Sequence, residues 1–202
     1  NIIAFIPGTE DTQKHFILAC HYDHLGICGE KEIFNGANDN SSGTAMLLNL
    51  MRHFKLNPPK YSVMFIFFDA EENNLLGSFF YADNPVLPLE NIQYFVELDM
   101  IGDNGDNINC QIADNAEPAL EYLNKINGSM ENPFAELIRN PLDDYADHYP
   151  FALKGVQSMY METDGDTNKN YHSPRDTYGN YYSTNYNRIF TLVTEFLDGY
   201  RR

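Results

Sequence analysis

Residues 67–78 read FFDAEENNLLGS and complete an apolar run that begins at Val63. The run has the length of a buried strand, and three carboxylates follow it at Asp69, Glu71 and Glu72. Neighbouring anions repel each other, and a carboxylate at the edge of an apolar core is unfavourable unless positive charge compensates it. Two explanations are open: the first turn of a surface helix, which favours acidic residues, or a bound metal ion.

Strands and helices alternate along the rest of the chain. Their patterns predict strands at 2–6, 16–20, 62–68, 94–98, 134–138 and 157–161, and helices at 41–56, 75–82, 116–126, 147–154 and 185–200. This alternation predicts an α/β fold, a three-layer α/β/α sandwich around a central, mostly parallel mixed sheet. No repeat or linker divides the sequence, so we expect one domain over residues 1–202.

Composition limits the classes of partner. The net charge is −16, from 29 acidic and 13 basic side chains, which argues against a nucleic acid partner because phosphates need Lys and Arg to neutralise them. The acidity fits carboxylate-held cations or simple solubility. The sequence has no apolar stretch of about 20 residues, so no transmembrane helix is predicted.

The cysteines and the first residues give weaker information. The three cysteines, Cys20, Cys28 and Cys110, contain no CxxC pair and predict neither a zinc finger nor a clear disulfide framework. The chain opens directly on NIIAFIPG, a strand followed by a Pro-Gly turn, which suggests that N-terminal residues are missing. The pattern of a signal peptide is not predicted within these residues.

Polar residues collect where predicted strands end. In open α/β sheets, sites lie beyond the carboxyl ends of the strands. Residues of the types that bind metal ions follow four of the predicted strands, at 21–24, at 69–72, at Asp99 and, in a later loop, at His172. Residues 38–40, before the first long helix, add a further aspartate. If the strands are parallel neighbours, these segments face one crevice.

Imidazole and carboxylate groups together suit zinc, with manganese or cobalt as possible substitutes. No thiolate belongs to the set, which argues against a structural zinc site. The number of ligand groups exceeds what one ion needs, so two ions that share a carboxylate and leave room for water fit better.

Six segments resemble those of the zinc aminopeptidases of peptidase clan MH, family M28. They occur in the family's order over nearly the whole chain: HYDHLG (21–26), NGANDNSSGTA (35–45), FFDAEENNLLGS (67–78), ELDMIG (97–102), DHYPF (147–151) and YHSPRDT (171–177). Any one of them is a weak signal, but six in order at predicted strand ends or loops are a strong one.

The resemblance implies a ligand set for two zinc ions. Asp39 would bridge the two ions. His21 and Asp99 would complete the first site, and Glu72 and His172 would complete the second.

The resemblance also implies catalytic roles. Glu71 would be the general base, and Asp23 would orient His21. Tyr171 matches a position where some members use a phenol to stabilise the developing oxyanion. The Asp39–Asn40 peptide would be cis, as is frequent in this family.

Other polar residues receive simpler interpretations. We predict that His24 supports or rims the site, that Asp147 caps a helix, and that His148 lies near the pocket or begins that helix. Two histidines are predicted at the surface, His15 and His53. Four aspartates are predicted in solvated loops: Asp103, Asp106, Asp164 and Asp166.

The resemblance implies a metallo-aminopeptidase that acts on peptides with a free N-terminus and is exported to the periplasm or the cell exterior. A glutaminyl cyclase-like enzyme, which uses one zinc and closes a ring, is the first alternative. Carboxypeptidase or deacylase activity on the same metal pair is a variant. A non-catalytic binding module with the peptidase fold is the alternative from another class. The sequence indicates no oligomeric state.

Overall fold

A computed structural model describes residues 1–10, 13–29, 32–165, 169–182 and 184–200. Within these ranges the strands are β1 (Ile2–Ile6), β2 (His15–His21), β3 (Gly26–Cys28), β4 (Glu32–Phe34), β5 (Ser62–Phe68), β6 (Ile92–Leu98), β7 (Asn107–Ile112), β8 (Glu136–Pro141) and β9 (Ser158–Thr163). The α-helices are α1 (Ser41–Leu56), α2 (Leu76–Asp83), α3 (Glu117–Ser129), α4 (Tyr149–Leu153) and α5 (Tyr186–Gly199). Each helix in the described ranges is too short or too polar for a membrane span.

Seven strands form one mixed sheet in the order β1-β5-β2-β6-β9-β7-β8. The four strands β5, β2, β6 and β9 are parallel neighbours, whereas β1 and β7 run antiparallel to β5 and β9. The carboxyl ends of the four central strands therefore meet at one edge of the sheet, as the sequence predicted. Strands β3 and β4 form a separate two-stranded ribbon.

Helices cover both faces of this sheet. Alternate residues of β2 enter two different hydrophobic clusters, because successive side chains of a strand point to opposite faces. Leu18 packs in the cluster that contains residues of α1, α3 and α5, and Ile17 packs in the cluster that contains Tyr81 of α2 and Phe151 of α4. This arrangement confirms the predicted three-layer α/β/α sandwich.

The start of α1 fits closely against the end of β6. The Asn40 side chain accepts a hydrogen bond from the backbone N–H of Gly43 at 2.9 Å, so Asn40 caps the helix. A Cβ atom at Gly43 would lie 2.2 Å from the carbonyl oxygen of Leu98, which no side chain could tolerate. This contact brings the loop before α1 next to the residue that follows β6.

Two elements were not predicted from the sequence: β7 and the ribbon of β3 and β4. Strand β7 reads NINCQI, and Asn and Gln are uncommon in strands, so its alternation was not recognised. Its buried apolar residues and its pairing with β8 and β9 stabilise it instead. The strand predicted at residues 134–138 corresponds to β8, which lies at one edge of the sheet.

The prediction that His15 lies at the surface is wrong. His15 is only 2% exposed because it begins β2 between β5 and β6, and this burial lowers its pKa. His53 is half-buried and packs against the ring of Phe190, with 5.3 Å between ring centroids.

The four predicted loop aspartates differ from one another. Asp103 is 0% exposed, so its predicted solvation is wrong; its carboxylate accepts a hydrogen bond from the backbone N–H of Asn104. Asp106 is exposed and pairs with Arg188. Asp164 is half-buried and accepts hydrogen bonds from Asn107. Asp166 lies outside the described residues.

Candidate metal centre and active site

Three buried side chains converge beyond the ends of β2 and β6. His21 ends β2, Asp99 follows β6, and Asp39 lies in the loop before α1. The Nε2 atom of His21 lies 3.2 Å from Asp39 Oδ1 and 3.4 Å from Asp99 Oδ1. One ligand atom from each residue falls within 4.8 Å of the others, a spacing at which all three can bind one metal ion.

A second group lies on the other side of Asp39. His172 Nε2 is 3.2 Å from Asp39 Oδ2 and 3.0 Å from Glu72 Oε2. His24 Nδ1 is 2.7 Å from Glu72 Oε1 and 3.7 Å from Asp39 Oδ2. The two oxygens of Asp39 therefore face different groups, and all five predicted ligands meet in one place.

His24 is closer to this centre than a rim residue would be. With Asp39 and Glu72 it forms the second group of side chains that could hold a metal ion. Its contact with Glu72 fits a residue that supports the ligands, and its position three residues after His21 was the sequence signal for this role.

The donor set and its unsatisfied atoms fit divalent metal ions. Among the described residues, the buried oxygens Asp39 Oδ2 and Asp99 Oδ1 make no well-formed hydrogen bond, although imidazole nitrogens of His172 and His21 lie 3.2 and 3.4 Å from them. A buried carboxylate oxygen without a donor is unfavourable, and a cation removes that penalty. Imidazole and carboxylate ligands without thiolate match the preference of zinc.

Asp23 organises the turn that carries the acidic pair. Its carboxylate accepts hydrogen bonds from the backbone N–H groups of Glu71 and Glu72, at 3.1 and 3.3 Å. His21 Nδ1 lies 3.1 Å from the backbone carbonyl oxygen of Asp23 and 3.9 Å from its carboxylate. Asp23, the residue predicted to orient His21, is thus adjacent to that histidine. Its backbone carbonyl oxygen is closer to His21 than its carboxylate is.

The backbone beside the ligands adopts conformations that are rare outside glycine. Ala70 precedes the acidic pair with φ 59°, Met100 follows Asp99 with φ 45°, and His172 has φ 47°. Left-handed non-glycine residues cluster at functional sites, where the surrounding structure holds them in place. The Asp39–Asn40 peptide is cis, as the resemblance implied.

Asp176 lies within the YHSPRDT segment, and the sequence predicted no role for it. It is buried, and its carboxylate accepts hydrogen bonds from the backbone N–H groups of Asn38 and Asp39 at 2.8 and 3.0 Å. These bonds fix the loop that presents Asp39 to both groups. The signal available in the sequence was an aspartate four residues after His172.

Sequence comparison shows which known family the chain resembles over nearly its whole length. The sequence profile of Peptidase family M28 matches residues 1–197. The chain belongs to this family. Aminopeptidase YwaD of Bacillus subtilis is 28% identical to this M28 chain over 79% of the chain and 35% of YwaD. The chain spans about an eighth to a third of the length of the curated relatives it matches.

Solved structures share the fold of this M28 chain. BSAP, a zinc aminopeptidase from Bacillus subtilis, superposes with a TM-score of 0.78 at 24% identity, over 96% of this chain and 48% of BSAP. A glutaminyl cyclase from an Acidobacteriales bacterium also superposes with a TM-score of 0.78, at 26% identity, over 96% of this chain and 71% of the cyclase. The fold is therefore common to hydrolases and cyclases.

Several carboxyl groups near the candidate metal centre of the M28 chain have pKa values above their ordinary range. Burial raises the pKa of Glu71 to about 10, that of Glu97 to about 8, and that of Asp99. Burial alone would lower the pKa of His21, but the adjacent carboxylates of Asp99 and Asp39 hold it well above its usual value. In the absence of metal ions, the site thus contains more carboxyl groups than nearby cations could keep ionised.

Glu97 connects this centre to the start of α4. Its buried carboxylate accepts hydrogen bonds from the backbone N–H groups of Asp147 and His148 at 3.1 and 2.8 Å. The prediction that Asp147 caps the helix is wrong, because α4 begins at Tyr149 and has no side-chain cap. His148 occupies the N-cap position directly before α4, in agreement with its predicted place at the start of the helix, and burial lowers its pKa to about 3.

We expect the metal-free M28 chain to lose stability as pH rises from about 5 to about 8. Unfolded glutamates ionise near pH 4.5, whereas folded Glu97 binds its proton up to about pH 8. In this window the folded state binds more protons, so the free energy of unfolding falls with pH, by at most about 1.4 kcal/mol per unit for each such carboxyl.

Thermal unfolding with a chelator at pH 5 and at pH 8 measures this effect. The same melts on zinc-loaded protein are the control, because bound cations would favour the ionised carboxylates and reverse the trend. A metal-free melting temperature that rises over this interval would contradict the prediction.

Proposed function

We propose that the chain is a two-zinc aminopeptidase that removes N-terminal residues from peptides. The observation that carries the proposal is the position of Asp39, whose two oxygens face His21 on one side and His172 on the other. Two ligand groups that share one carboxylate are the arrangement of a co-catalytic metal pair. His21, Asp39 and Asp99 would hold one ion, and Asp39, Glu72 and His172 the other, with His24 against Glu72. Manganese or cobalt could substitute for zinc.

Bound there, two zinc ions would polarise the scissile carbonyl and lower the pKa of a water molecule. Glu71 is the residue that would move protons. It lines the same cavity as Asp39 and Asp99 but belongs to neither ligand group, so its carboxylate would remain free to accept a proton beside the metal ions. Glu71 takes the proton of the attacking water and delivers it to the amine that leaves.

Tyr171 would stabilise the negative charge that develops on the carbonyl oxygen. Its ring stacks on that of His172, with 3.8 Å between centroids, and it lines the same cavity. Burial raises the pKa of this phenol, so it remains protonated and can donate a hydrogen bond.

A free N-terminus suits this cavity electrostatically. Carboxylates surround its metal end, and none of the described residues that line it is a lysine or an arginine. The α-ammonium group of a peptide is attracted to such a site, and this favours cleavage at the first peptide bond.

A glutaminyl cyclase-like activity is the second candidate, and the shared fold with a solved cyclase supports it. The resemblance assigns cyclases one zinc ion, whereas two ligand groups are present here. A non-catalytic binding module is the third. Glu71 and all five ligand residues are present, although such modules are expected to have lost some of them. Export and a single catalytic domain over residues 1–202 stay predictions.

A panel of aminoacyl amides, assayed with and without a chelator, tests the proposed function. We expect metal-dependent release of the first amino acid, no release from N-acetylated substrates, and roughly two zinc ions per chain. Peptides that begin with glutamine distinguish an aminopeptidase from a glutaminyl cyclase. One zinc per chain, ring closure on glutamine and no amino acid release would favour the cyclase instead.

A further inference from the structure

The cavity beside the metal centre has a second end with a different character. Its volume is about 370 Å3, within the range of small-ligand sites. One end is formed by the residues assigned above to metal binding and catalysis. The other end is formed by Met100, Tyr145, Tyr160 and Glu162.

Glu162 lies one strand away from the metal ligand Asp99. Leu98 of β6 pairs with Met161 of β9, and the backbone N–H of Asp99 donates to the carbonyl of Met161 at 3.1 Å. Asp99 directly follows Leu98, and Glu162 directly follows Met161. The two residues therefore lie side by side in the register of the neighbouring strands. Side chains at such positions lie on the same face of a sheet.

Two hydrogen bonds orient the carboxylate of Glu162, but no cationic side chain among the described residues pairs with it. Tyr160 donates its O–H to one oxygen at 2.6 Å, and the Asn109 amide donates to the other at 3.3 Å. Each oxygen retains capacity for a further hydrogen bond. No ion pair with Glu162 forms among the described residues within 4.0 Å. Burial raises its pKa, and the hydrogen bond from Tyr160 opposes this rise.

We propose that Glu162 binds the lysine or arginine side chain of the substrate's first residue and makes the site selective for basic N-terminal residues. This rests on the proposed function. The aliphatic stem would pack against Met100 and the ring of Tyr160, and the cationic head would reach Glu162. Tyr145 meets Tyr160 edge to face at 6.0 Å and extends the aromatic wall, which also attracts a cation.

The same chemistry disfavours other first residues. An apolar side chain would cover Glu162 without neutralising it, which leaves a carboxylate buried and unpaired. An acidic side chain would be repelled by Glu162 and by the carboxylates of the metal end. Glu162 could instead bind the α-ammonium group, but it would then contribute equally to every substrate.

The test compares kcat/KM for lysyl, arginyl and leucyl amides on the zinc-loaded protein and on Glu162→Gln. We expect the wild type to prefer the basic substrates. In the variant, kcat/KM for the basic substrates should fall about 10- to 100-fold, the loss expected for a hydrogen bond to a charged group, and that for leucyl amide should stay or rise. Glu121→Gln, an exposed carboxylate on α3, is the matched control and should change neither.

A binding measurement separates this proposal from the proposed function. Lysine and leucine hydroxamates, titrated calorimetrically into zinc-loaded protein, report the preference without turnover. Tighter binding of the lysine compound, lost in Glu162→Gln, supports the proposal even if no amide is hydrolysed. A wild type that favours leucine, or an equal loss for all substrates in the variant, overturns it. Glu162→Leu gives a further check, because it should make leucine the preferred first residue.

Discussion

Glu71→Gln is expected to lower kcat by about a hundred- to ten-thousandfold while the protein keeps its metal ions. The amide has nearly the shape of the carboxylate but cannot accept and return a proton, which is the contribution of a general base. Glu71 is absent from both groups of side chains that could hold a metal ion, so its replacement leaves the ligands in place. Steady-state kinetics on an aminoacyl amide, together with metal analysis, measure both quantities.

Glu72→Gln is the matched control, because it makes the same change one residue along the chain. Glu72 contacts His172 and His24, so this variant should lose metal as well as activity. Restored activity at high zinc concentration would mark a weakened ligand, and zinc should not rescue Glu71→Gln. Equal turnover by Glu71→Gln and wild type would refute the assignment of the base.

The positions of Glu71 and Glu72 beyond the end of a strand were predictable from the sequence, because strand ends are local features. The apolar run before Asp69 predicted β5, and the carboxyl edge of a parallel sheet predicted where its acidic successors would lie. The same reasoning placed His21 after β2 and Asp99 after β6. The assignment of individual roles came from the resemblance, since spacing alone does not tell a base from a ligand.

The residues that the sequence did not reveal depend on contacts between distant segments. Asp176 binds the backbone of the Asp39 loop across more than a hundred residues of sequence. Glu162 enters the cavity because β9 lies beside β6, and no local pattern gives that strand order. The burial of His15 and Asp103 likewise follows from neighbouring strands and loops, so their polarity alone suggested the wrong environment.

The surplus of buried carboxylates connects function to stability in this fold. Glu71, Glu97 and Asp99 all have raised pKa values because burial disfavours their charged forms. A fold optimised only for stability would bury fewer of them. Their retention at one edge is explained if cations compensate them, and metal binding should then also stabilise the folded chain.

Asp39→Asn is expected to remove both metal sites and to reduce activity to background. The two carboxylate oxygens each lie 3.2 Å from a different histidine, His21 and His172, so one substitution weakens both groups. The backbone of the loop should persist, since Asp176 holds it through main-chain N–H groups. Ions per chain after dialysis, measured by mass spectrometry, should fall from roughly two to well below one.

Asp99→Asn and Glu72→Gln are the controls, because they distinguish the loss of one metal site from the loss of both. Each contributes to one group only, so each variant should retain about one ion, in the site that it does not affect. Zinc should raise the melting temperature of these two variants, as of the wild type, but not that of Asp39→Asn. If Asp39→Asn binds as many ions as Asp99→Asn, then Asp39 serves a single ion. The two ions would then not share a carboxylate, whereas a wild type that binds only one ion per chain would indicate the mononuclear centre expected of a cyclase.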